Sequence, residues 1–154
     1  MPKIIYLKGD ATQPVPTDGG PAIICHICND LGAWGAGFVL ALSRKWQLPE
    51  ASYRRISNYT LGTVDIVQVE PNTYVANMIA QHGTGFTPEG IAPIRYAALE
   101  KCLDMVNIIA KGMHASIHMP RIGCGLAGGN WMEIEKIINE TIDEDTIVYV
   151  YDLK

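Results

Sequence analysis

Apolar residues come in short runs divided by Gly, Pro and polar clusters, and the runs follow two periods. Residues 4–8 form an apolar strand ended by Gly9-Asp10, and residues 13–21 are a Pro- and Gly-rich loop. Residues 22–28, Ala-Ile-Ile-Cys-His-Ile-Cys, are nearly all apolar, as a strand covered on both faces requires. Helices are expected over 38–46 and, opened by Pro49, over 49–58. Strands are expected over 64–69 and 74–79, and residues 81–90 form a loop with three glycines. Residues 93–111 carry Ile94, Ala98, Cys102, Val106 and Ile109 at helical spacing, and Gly112 is the expected stop. A short strand over 116–119, a helix over 131–141 capped by Asn130 and a strand over 147–151 complete the chain. Alternation of strands and helices predicts one α/β domain over 1–154, a three-layer α/β/α sandwich around a mixed, mostly parallel sheet.

Composition narrows the function classes. The 154 residues are 48% hydrophobic and 18% charged, enough for one core and too apolar for disorder. A net charge of −4 argues against a long nucleic acid as partner, because such proteins carry a basic surface. It leaves room for a small anion held by backbone amides. No apolar run approaches the roughly 20 residues that span a bilayer, and the first residues do not resemble a secretion signal. Four cysteines are few for a disulfide scaffold, so a cytoplasmic monomer is expected. Cys25 and Cys28 have C-x-x-C spacing but lie within a strand pattern, which sends them to opposite faces; core packing is expected, with no metal and no cofactor.

Two glycine-rich turns carry the candidate chemistry. One covers residues 29–37 (Asn-Asp-Leu-Gly-Ala-Trp-Gly-Ala-Gly), and the other residues 121–129 (Arg-Ile-Gly-Cys-Gly-Leu-Ala-Gly-Gly). Each follows a strand and precedes a helix, where bare N–H groups meet a positive helix end and favour phosphate. The first reads G-x-x-G-x-G, the reverse of the dinucleotide spacing, and no Gly-Lys-Ser/Thr is present. One such turn is equally well a tight turn without a ligand; two suggest a clamp on a diphosphate. On this reading a side chain at Gly123 would fill the phosphate's path. Asn29 can bond ribose hydroxyls or start an Asx turn. Asp10 can accept from an exocyclic amine or serve as a turn residue. Trp34, inside the glycine turn, is expected to cover a sugar or lean on the second turn, whereas Trp131 reads as core. Gln81 and His82 end a strand beside a glycine loop, and His82 is a general-base or contact residue or an exposed loop histidine. His26, His114 and His118 are weaker candidates. Asn29 and His82 are the candidate catalytic pair.

Taken together, Lys8-Gly9-Asp10, the 29–37 turn, the string Met-Pro-Arg-Ile-Gly-Cys-Gly-Leu over 119–126 and the closing Val150-Tyr151-Asp152-Leu153 resemble the macrodomain family over nearly the whole chain. The branch includes the terminal ADP-ribose protein glycohydrolase and the yeast-type ADP-ribose-1″-phosphate phosphatase. The resemblance implies ADP-ribose or an ADP-ribosylated protein as partner. It puts Asp10 and Ala11 at the adenine amine, with Tyr151 and Leu153 lining the adenine. Asn29 would sit at the distal ribose, with Gln81 nearby. Ala33, Trp34, Gly35, Ala36, Gly37 and Phe38, facing Ile122, Gly123, Cys124, Gly125 and Leu126, would wrap the diphosphate and that ribose. The glycohydrolase uses a lysine nucleophile at the end of the fourth strand and an aspartate just after Gly-Cys-Gly-Leu. Here Gln81 lies in the lysine's neighbourhood and Ala127 stands in the aspartate's place. The implied activity is hydrolysis of ADP-ribose esters by water; a binding module without turnover and the 1″-phosphate phosphatase are the alternatives.

Overall fold

The computed structural model describes residues 2–16 and 20–154, so Met1 and part of the expected 13–21 loop lie outside the described residues. Six strands form one sheet: β1 (Lys3–Lys8), β2 (Ala22–Asn29), β3 (Val64–Glu70), β4 (Thr73–Gln81), β5 (Ser116–Pro120) and β6 (Ile147–Asp152). Their spatial order is β1-β6-β5-β2-β4-β3. Every pairing is parallel except that of β3 with β4. Helices α1 (Phe38–Lys45), α2 (Leu48–Arg54), α3 (Tyr96–Met113) and α4 (Trp131–Thr141) make the outer layers. The expected sandwich with a mixed, mostly parallel sheet is therefore the fold.

The period of two in β2 builds both cores. Ile23 and Cys25 enter a cluster with Ala98, Leu99, Leu103 and Val106 of α3 and Ile134 and Ile138 of α4. Ile24 and Cys28 face the other way, onto Val39 and Leu42 of α1 and Tyr53 of α2. The two cysteines thus point to opposite faces, and all four cysteines are free. Burial pushes the Cys25 and Cys28 thiols well up and Cys102 up to about 12, so these act as small apolar groups.

Helix ends depart from expectation for local reasons. α2 stops at Arg54, because Ile56 and Tyr59 turn down onto the α1/α2 core. α3 begins at Tyr96, not at Pro93, because residues 93–95 stay extended against the end of β4: the His82 N–H donates to Pro93 O and the Arg95 N–H to Ala80 O. The same pairing carries β4 on to Gln81. Gly112 does not end α3; His114 does, in the left-handed region at φ 54° that His tolerates better than most residues. Asn130 caps α4 as expected, its side-chain oxygen accepting from the Met132 and Glu133 N–H groups.

Candidate functional site

The strand order places a crevice between β2 and β5. From β2 the chain passes through α1, α2 and the edge strand β3 to β4 on one side; from β5 it passes through α4 to β6 on the other. The strand ends diverge there, and the crevice outside them is where open α/β sheets hold ligands. A cavity of about 420 Å³ occupies it. Of the expected residues, Asn29, Ala33, Gly35, Ala36, Gly37, Phe38, Gln81, Ile122, Gly123, Gly125 and Leu126 line it. Both glycine turns therefore close on one space.

The first wall is stiffened from within. Asn29 Oδ1 accepts from the Leu31 N–H (3.0 Å) and the Ala33 N–H (3.0 Å), the buried Tyr53 hydroxyl shares its one proton between Asn29 O (2.6 Å) and Oδ1 (2.9 Å), and Asn29 Nδ2 donates to Ala33 O (2.8 Å). The Asx-turn role thus absorbs most of the amide, leaving one N–H for a ligand. Trp34 corrects its expectation. It is 6% exposed, its ring packs on Tyr53 and His26, and its Nε1 donates to Ser43 Oγ. The indole is the anchor beneath the turn and does not line the cavity, because Cys28, Val39 and Leu42 offer it an apolar bed. Gly37, at φ 81°, starts α1 with no side-chain cap and no acidic residue in the first turn. The positive end of α1 is thus left open toward the cavity.

The second wall is made of tight turns. The Gly129 N–H donates to Gly123 O and the Gly128 N–H to Gly125 O. Gly123 sits at φ 74°, and a Cβ there would lie 2.6 Å from Ile94 Cδ1, 3.0 Å from Ile27 Cδ1 and 3.1 Å from Ile134 Cδ1. The expectation that a side chain at 123 would fill the cavity is therefore corrected: it would enter the core. Gly35 and Gly125 differ. Neither has positive φ, and an added Cβ at either meets nothing within 4 Å. Neither glycine is required by the fold, and both line the cavity. Among the described residues, the N–H groups of Gly35, Ala36, Gly37, Gly123, Gly125 and Leu126 have no partner within the chain.

Few side chains add chemistry. His82 does not line the cavity: as neighbours at a strand end point to opposite sides, Gln81 enters it and His82 turns to Asp30, with Nδ1 2.7 Å from Asp30 Oδ2. Burial would raise the Asp30 carboxyl, but the Gly83 N–H and His82 outweigh it and hold it below the usual range. Cys124 lies outside the lining, and burial raises its thiol. His26, Thr84, Arg121 and Ala127 line the cavity without having been singled out as contacts. His26 is buried, which lowers its pKa to about 4, and its Nε2 meets Asn77 Oδ1. Arg121 spends its charge on Asp152, at 2.7 and 3.0 Å, with its guanidinium against the Tyr6 and Trp131 rings. Trp131, expected in the core, is only partly buried for that reason. The string 121–126 held the signal for Arg121, and His26 was only a weaker candidate because it falls within a strand; nothing in the sequence marked Thr84.

Asp10, Ala11, Tyr151 and Leu153 gather at the ends of the paired strands β1 and β6, outside the cavity lining. Asp10 Oδ1 accepts from the Thr12 N–H and hydroxyl, both at 2.8 Å. Ala11 is buried and Leu153 is 80% exposed. Tyr151 is buried: its hydroxyl accepts from the Val15 N–H and meets His118 Nδ1 at 2.7 Å, while Ser116 Oγ holds His118 Nε2. Burial lowers the His118 pKa to about 4.

No family model matches the chain. A solved protein of unknown function from Bacteroides thetaiotaomicron is 51% identical, with 98% of each chain covered and a TM-score of 0.94. A macrodomain protein from Streptomyces coelicolor is 45% identical, covering 97% of this chain and 99% of its own, with a TM-score of 0.81. The mouse chromodomain-helicase-DNA-binding protein 1-like is 30% identical over 96% of this chain, which spans only 17% of that protein. The ADP-ribose 1''-phosphate phosphatase of Candida albicans is 29% identical, covering 96% of this chain and 99% of its own length. With nearly full mutual coverage of the Streptomyces protein, and with its two glycine turns closing on one crevice, the chain belongs to the macrodomain family.

Proposed function

We propose that the cavity binds ADP-ribose and that the chain hydrolyses an ester at the distal ribose. The observation that carries the reading is the pair Gly35 and Gly125: glycines that the fold does not need, on facing walls, where any side chain would occupy the ligand's space. Backbone amides of the two walls and the open end of α1 supply donors for a pyrophosphate. Asp10 and Leu153 would meet the adenine beyond the cavity, at the ends of β1 and β6. The name of the Candida relative supports a nucleotide-sugar ligand.

Water is the attacking group in this reading. Gln81 and Ala127 supply neither nucleophile nor base, Cys124 is a raised thiol outside the lining, and His26 is buried and bonded to Asn77. The water oxygen bonds to the anomeric carbon, and the bond from that carbon to the acyl oxygen breaks. The carboxylate leaves with the electron pair, and the water's proton passes to solvent. Fixed amides that orient the sugar and hold its charged diphosphate can supply much of the acceleration. One chain provides both walls, so a monomer suffices. Four free cysteines, three of them buried, fit a reducing compartment such as the cytoplasm.

The test is to incubate the chain with a protein ester-linked to ADP-ribose through glutamate. Release of free ADP-ribose above the buffer rate is expected; binding without release would favour a module without turnover. The second reading, suggested by the Candida phosphatase, is selected by phosphate release from ADP-ribose-1″-phosphate without ester cleavage.

A further inference from the structure

We propose that Gln81 holds the attacking water, an inference that rests on the hydrolytic reading above. Gln81 ends β4 opposite Asn29 in the parallel pairing and lines the cavity. Its amide has a defined sense. Nε2 donates to Gly83 O at 3.0 Å, and a carbonyl oxygen accepts only from the NH₂ side. Gly83 is itself fixed, because its N–H donates to Asp30 Oδ1 at 2.8 Å. Oε1 then has no partner in the chain. Among the described residues no buried side-chain oxygen lacks a partner, so Oε1 is open to solvent.

The other side-chain oxygens that line the cavity are spent or loose. Asn29 Oδ1 already accepts from two backbone N–H groups and lies against the Tyr53 hydroxyl, and the Thr84 hydroxyl belongs to an exposed residue. A neutral amide oxygen is too weak a base to take the proton. It can accept one O–H of the water and aim a lone pair of the water oxygen at the anomeric carbon. The proton lost after attack goes to solvent, and the carboxylate leaves with the bonding pair, so Gln81 is unchanged over the cycle. Asp30 acts through Gly83 and is a positioning residue.

Gln81→Met keeps the length of the side chain and removes the acceptor. With the ester-linked ADP-ribosyl protein as substrate, kcat is expected to fall roughly 30- to 100-fold, the size of a misplaced reactant. The Kd for free ADP-ribose by calorimetry is expected to stay within about threefold, which separates this role from ligand binding. Gln81→Glu retains an acceptor. It is expected to keep far more activity than Gln81→Met and to gain an acid limb in its kcat–pH profile that the native chain lacks. Asp30→Ala leaves Gln81 in place but frees Gly83, and is expected to lower kcat with Kd held. An unchanged kcat in Gln81→Met, or equal losses in kcat and affinity, overturns the water-holding role while leaving hydrolysis intact. A native chain that binds ADP-ribose and never releases it from the ester overturns the hydrolytic reading and this inference with it.

Discussion

Placing a valine at Gly125 and, separately, at Gly123 distinguishes the ligand's space from the protein's own. At Gly125 the added Cβ meets nothing within 4 Å and the backbone φ is not positive. Its effect on stability is expected to stay within about 0.5 kcal/mol. Its methyl groups enter the cavity, and displacing a phosphate oxygen from one amide removes about 1.5–3 kcal/mol. That predicts roughly a 10- to 150-fold weaker Kd for ADP-ribose. At Gly123 the order reverses. The φ of 74° costs a branched residue about 1–3 kcal/mol. The 2.6 Å approach to Ile94, together with contacts on Ile27 and Ile134, costs about as much again through overpacking. Gly123→Val is therefore expected to melt roughly 5–20 °C lower. Calorimetric titration beside thermal unfolding of both variants reads the two effects. A Gly125→Val chain that binds ADP-ribose with native affinity refutes the assignment of the open wall to the phosphates.

Further substitutions probe the first wall and the buried histidines. Asn29→Ala removes the acceptor of the Leu31 and Ala33 N–H groups, whereas Tyr53 keeps the Asn29 backbone oxygen. It is expected to cost about 2–3 kcal/mol by denaturant unfolding and to weaken ADP-ribose binding in parallel. His82→Ala is expected to leave ester hydrolysis within about twofold of native in a release assay, because His82 faces Asp30 outside the cavity. Burial lowers His26 and His118 from 6.5 to about 4. The unfolded chain then binds more protons between these values, so their stabilisation is complete above pH 6.5 and drains away as pH falls toward 4. Between pH 7 and pH 5 each is expected to contribute a loss of about 2 kcal/mol. Urea unfolding of His118→Gln at both pH values is expected to show a smaller loss than the native chain, and an equal loss would place the cause elsewhere.

The order of elements and the layer architecture were legible because hydrophobic period alone sets them. The all-apolar run of β2 announced a strand covered on both faces, and Cys25 and Cys28 parted as alternation requires. The meeting of the two glycine turns was legible because each ends a strand of one parallel sheet. Finer matters depended on tertiary packing. Trp34 looked exposed because glycines flank it, yet the concavity beside Tyr53 and Leu42 draws the indole inward. Gly112 and Gly123 were read by residue type, whereas φ decides: the left-handed turn after α3 fell to His114, and the Cβ direction at Gly123 leads to the core. The side on which His82 lies follows from the register of β4, which the sequence placed two residues short.

The most direct measurement is a crystal structure of the chain soaked with ADP-ribose. The pyrophosphate is expected between residues 35–37 and 123–126, accepting from their main-chain N–H groups, with the distal ribose beside Gln81 and Asn29. A pyrophosphate bound elsewhere, with the β2–β5 crevice left to solvent, would contradict the two-walled anion site.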